Sequence, residues 1–117
     1  VDAIDRTAKL HVGGKQARPD GGYSRAVRGP KGALLGHMSL ANRKDVRNAV
    51  EAANGAKGWA RQTAHARAQV LYYLAENLQA RAADFAERLR AMTGSRGEAE
   101  VEASVRALFR WAAWADK

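Results

Sequence analysis

Apolar and polar residues change rhythm once along this chain, near residue 42. Before that point, short apolar runs over residues 9–13, 23–27 and 33–40 are separated by Gly13-Gly14, Pro19-Asp20-Gly21-Gly22 and Gly29-Pro30-Lys31-Gly32. Such runs read as strands joined by tight turns, because proline fixes one backbone angle and glycine supplies the positive φ that a reversal needs. The pattern predicts a β-meander of two or three strands over residues 9–41, preceded by an N-terminal extension over residues 1–8.

From Asn42 onward the spacing becomes helical, and residues 42–117 predict a segment of three or four helices. Asn42 carries an N-cap side chain, with Asp45 in the first turn. Val46, Ala49, Val50 and Ala53 then share one face, and Asn54-Gly55 with Gly58 ends the helix near Trp59. A second helix starts at Thr63 and aligns Arg67, Val70, Leu71, Leu74 and Leu78. It continues or bends near Arg81 into Phe85, Leu89 and Met92, and Gly94 is its natural stop. Ser95 and Glu98 have capping-box spacing for a last helix that lines up Val101, Val105, Leu108, Phe109 and Ala112. The class is therefore α+β, a short β-meander followed by three or four helices.

Neither part covers itself. A short meander leaves strand edges unpaired, and the last helix ends in Trp111 and Trp114 with little local sequence to cover them. A chain of 117 residues supports one modest core. Much of its 46% hydrophobic content is alanine, and only 7% of the chain is aromatic, so the core volume on offer is small. The sequence opens on Val1 rather than methionine, as a fragment or processed piece would.

Charge adds a second question. A formal net charge of +8 and a pI near 10.4 suit nucleic acid or an anionic membrane. The basic residues are scattered, however, and Arg43, Lys44, Arg47, Arg81, Arg88 and Arg90 alternate with Asp45, Asp84 and Glu87 as on solvated helix faces. No helix-turn-helix, zinc-finger or aromatic RNA-binding signature accompanies them, so nucleic acid is not the expected partner. No stretch approaches the ~20 apolar residues of a membrane span. Asp2, Asp5, Arg6 and Lys9 make the first ten residues unlike a signal peptide. A cytoplasmic protein with no membrane contact is expected.

Candidate chemistry is sparse. With no cysteine, the chain has no disulfide, no thiolate metal site and no cysteine nucleophile. Gly13-Gly14-Lys15 is followed by Gln16 and lacks the upstream glycine of a phosphate-binding loop, and no dinucleotide glycine spacing occurs. His11, His37 and His65 are too far apart for a local metal motif. Glu98, Glu100 and Glu102 could supply an acid–base pair, but the helix dipole alone explains carboxylates in a first turn. Ser24, Ser39, Ser95 and Ser104 lie in no Gly-x-Ser-x-Gly setting. No catalytic, cofactor-binding or metal-ligating residue is assigned, and no cofactor is expected on this chain alone.

The order of features nevertheless resembles the start of aldehyde dehydrogenases. Val12-Gly13-Gly14 closes a strand, and Gly29-Pro30-Lys31-Gly32 stands where the family has an Asn-Pro-x-x-Gly turn. Asp45-Val46-Arg47-Asn48-Ala49-Val50-Glu51-Ala52-Ala53 then follows the family's Asp-Val-x-x-Ala-Val-x-Ala-Ala helix to a tryptophan, Trp59. Arg67, Leu71, Leu74 and Ala75 match its arginine-bearing helix, and Ala113-Trp114-Ala115-Asp116-Lys117 is similar to its Ala-x-Trp-Ala-Asp-Lys ending. The resemblance covers about residues 9–117.

It implies an outer portion of the NAD-binding domain plus bridging strands of the α/β aldehyde dehydrogenase fold. Residues 42–117 would pack on a dinucleotide-binding domain that this chain lacks. It further implies oxidation of an aldehyde to a carboxylic acid with NAD or NADP, through a cysteine thiohemiacetal. The partners implied are the remainder of the polypeptide and further copies in a homo-oligomer. The family's cysteine, general-base glutamate, oxyanion-hole asparagine and main cofactor residues all come after the Trp-Ala-Asp-Lys point.

Departures matter as well. Arg28-Gly29-Pro30 replaces the Asn-Pro turn, and Arg90 and Arg96 replace a glutamate and a lysine. Some relatives hold a structural cation with an aspartate and backbone near the Val27 position; Thr93 stands near that aspartate, so no ion is expected. Such drift leaves the alternative of a degenerate, non-catalytic module kept for assembly, as in a tandem protein, and the basic charge leaves a second, an independent basic nucleic-acid-binding domain.

Overall fold

The computed structural model describes residues 7–117, so the first six residues of the expected extension lie outside the described residues. The chain divides into two compact units, Val1–Lys57 and Gly58–Lys117.

The first unit holds β1 (Thr7–Ala8), β2 (Leu10–Val12), β3 (Lys15–Ala17), β4 (Ser24–Arg28), β5 (Leu34–Ser39) and α1 (Arg43–Gly55). Its strands form two ladders where a single meander was expected. The Gly13-Gly14 pair takes positive φ at both residues, 65° and 81°, as a two-residue hairpin turn demands. The chain therefore reverses at once, and residues 15–17, which carry no strand pattern, pair antiparallel with residues 10–12. β4 and β5 form the second hairpin around residues 29–33, where Gly29 N–H bonds Ala33 O at 2.9 Å and Gly32 adopts φ 84°. The register slips between Val27 and Arg28. β1 joins the free edge of β5 in parallel, Thr7 opposite His37, giving the order β1-β5-β4.

α1 starts where the sequence places it. Asn42 is extended at φ −117°, its side chain accepts Asp45 N–H, and the Asp45 carboxylate accepts Asn42 N–H in return. The helix ends at Gly55, and within it only Asp45 is buried.

The second unit is helical: α2 (Lys57–Arg61) at the boundary, then α3 (Ala64–Ala80), α4 (Ala82–Thr93) and α5 (Glu98–Ala115). Thr63 caps α3 by accepting Ala66 N–H at 3.0 Å. The bend expected near Arg81 is a break there, with φ −106° and ψ 19°. Gly94 ends α4 in the left-handed region at φ 76°, its N–H on Arg90 O at 2.8 Å.

Two sequence expectations fail in this unit. On α3 the inward face is Ala68, Leu71, Ala75 and Leu78, whereas Val70 and Leu74 are exposed. The helix is apolar nearly all round, so its larger side chains do not reveal which face goes inside. The two alanines do, because α3 and α5 approach closely through fully buried Ala68, Ala75 and Ala112. At the next junction Ser95 does not cap α5. Its N–H bonds Thr93 Oγ1 at 3.2 Å, while Gly97, already helical at φ −79°, accepts Val101 N–H. A side chain at Gly97 would place its Cβ 2.5 Å from Ala86 O, so glycine is what lets α5 start against α4. Above that contact sits the core of Ala86, Val101 and Val105, flanked by Leu78, Ala82, Leu89 and Phe109.

Candidate functional site

Several polar groups singled out in the sequence have a structural partner. Asp45 is the most engaged. Both carboxylate oxygens accept Asp20 N–H, at 3.0 and 3.2 Å, and one also accepts Asn42 N–H at 3.0 Å. Asn42 Nδ2 donates to Asp20 Oδ2 at 3.0 Å, and Lys44 Nζ lies 3.3 Å from Asp20 Oδ1. The Asn42 amide, seconded by Lys44, holds the Asp20 carboxyl below its ordinary value. The cluster ties the turn before β4 to the first turn of α1. Its oxygens are committed to fixed donors, so it is a latch and not an acid–base pair.

Two glutamates of α5, Glu98 and Glu102, face arginines rather than one another. Glu98 pairs with Arg90 at 2.6 Å, and Glu102 pairs with Arg106 one turn along. A hydrogen bond from its own backbone N–H lowers the Glu98 pKa, with Arg90 adding to it. That is the helix N-terminus acting on a carboxylate. Ser104 donates to Glu100 O, Thr93 donates to Leu89 O, and Ser24 and Ser39 are cross-strand partners.

The histidines are not brought together as a site. His11 lies on β2 and His37 on β5, while His65 Nδ1 sits 3.2 Å from Asp116 Oδ1. Among the described residues, no three His, Cys, Asp or Glu side chains could hold a metal ion. Nor is any helix among them long and apolar enough to cross a membrane.

Sequence reasoning missed a clasp. Arg67, read as part of an apolar stripe, turns its Nη1 onto Gln62 O at 2.7 Å and Ala60 O at 3.4 Å, closing the loop ahead of α3. A guanidinium satisfies carbonyls left free at a helix end. An arginine near the start of a helix was the only available signal.

What the molecule does display is uncovered apolar surface. Val46 and Val50 on α1 are 57% and 54% exposed, and Trp111 and Trp114 on α5 are 61% and 62% exposed. Val70, Tyr73 and Leu74 of α3 add to it.

Comparison with known proteins places the fold in a family. The model of the aldehyde dehydrogenase family matches residues 17–117. An NAD-dependent aldehyde dehydrogenase of Sinorhizobium meliloti shares the fold with a TM-score of 0.90 at 23% identity, over 97% of this chain and 24% of its own. A 3,6-anhydro-L-galactose dehydrogenase is 26% identical with a TM-score of 0.89, over 92% of this chain and 24% of its own. The betaine aldehyde dehydrogenase of Staphylococcus aureus, 17% identical, gives 0.87 over 93% and 23%. The chain thus spans about a quarter of the length of these solved structures. With all but its first sixteen residues inside the family match, this chain belongs to the aldehyde dehydrogenase family.

Proposed function

We propose that this chain is the N-terminal segment of an NAD(P)-dependent aldehyde dehydrogenase that oxidises an aldehyde to a carboxylic acid, and that it is not catalytic alone. The observation that carries the reading is the family match over residues 17–117 in a chain that spans about a quarter of its solved relatives. Names of neighbours as NAD-dependent enzymes, or as a complex with nicotinamide adenine dinucleotide, support NAD or NADP in the parent protein.

The residues present do not fit a dinucleotide. Gly13-Gly14 is spent on a hairpin, and the first turns of α1 and α3 are filled by Asn42 with Asp45 and by Thr63. With no cysteine in the sequence, no thiohemiacetal can form on this segment. Its part is architectural. Residues 9–41 supply bridging strands, and residues 42–117 present Val46, Val50, Trp111 and Trp114 to a dinucleotide-binding domain supplied by the rest of the polypeptide. The parent is a cytoplasmic homo-oligomer in this reading.

The coding sequence downstream of Lys117 tests it. A cysteine and a glutamate at family spacing, together with NAD(P)-dependent aldehyde oxidation by the whole product, are the expected result. A frame that continues with another residue at the nucleophile position, and a product that leaves aldehydes untouched, would instead make this a degenerate module kept for assembly. Turnover by the 117-residue chain alone would overturn the proposal.

A further inference from the structure

We draw no further inference here: the strongest candidate, the groove of about 750 Å³ between α4 and α5 floored by Ala82, Ala86, Val101 and Val105, has its rim carboxylates Glu98 and Glu102 already paired with Arg90 and Arg106, and nothing in the structure shows what covers its apolar floor.

Discussion

Among the described residues, the unit Val1–Lys57 buries a serine and an aspartate, Ser39 and Asp45, and no apolar side chain. Gly58–Lys117 buries Ala68, Ala75, Ala86, Gly97, Val101, Val105 and Ala112, and no charged group. One unit is held by directed hydrogen bonds, the other by close packing. Hydrogen bonds fix geometry but add only about 1 kcal/mol each, because water competes for both partners. Burial of apolar area is the larger contribution to stability. The strand unit thus has a defined shape with little buried apolar area of its own to maintain it.

The comparison can be broken most forcefully at Gly97. Gly97→Val should cost about 3 kcal/mol or more, since even its Cβ would collide with the Ala86 backbone. Chemical denaturation with a probe on α5 measures it. Asp45→Ala comes next, at about 2 kcal/mol, because it strands the backbone N–H groups of Asp20 and Asn42 and removes half of a capping box. Amide exchange should rise across residues 18–24 and the first turn of α1 while α3 to α5 keep their protection. In the unmodified chain, protection of α3 and α5 should exceed that of β4, β5 and α1 by at least about tenfold, or 1.4 kcal/mol. Equal protection in both units would remove the contrast.

Acid sharpens it further. Folding lowers the Asp20 pKa, so its contribution is present above the unfolded carboxylate value and is lost as pH falls through the folded one. Protection near Asp20, measured against the intrinsic exchange rate at each pH, should therefore fall below about pH 4, and Asp20→Asn should abolish that step. Smallest of all, Arg106→Ala should change unfolding by less than about 0.5 kcal/mol, the pair with Glu102 being exposed.

Features that the sequence displayed are those governed by a residue's own backbone. Asn42 with Asp45, Thr63, Gly94 and Gly13-Gly14 each satisfy a local requirement, a free N–H or a positive φ, that few other residues meet. Features fixed by distant partners stayed hidden. Thr7 pairs with His37, and Asp45 captures a backbone N–H 25 residues away, neither of which leaves a periodic trace. The inward face of α3 was hidden for a related reason, since alanine signals helix wherever it stands and only the neighbouring helix distinguishes Ala68 and Ala75 from other alanines.

The alanines of α3 and α5 have a geometric consequence. With nothing longer than a methyl group at fully buried Ala68, Ala75 and Ala112, a larger residue at any of them would have to push neighbouring atoms aside. Trp111 and Trp114, three residues apart on α5, put both exposed indoles on one side of that helix.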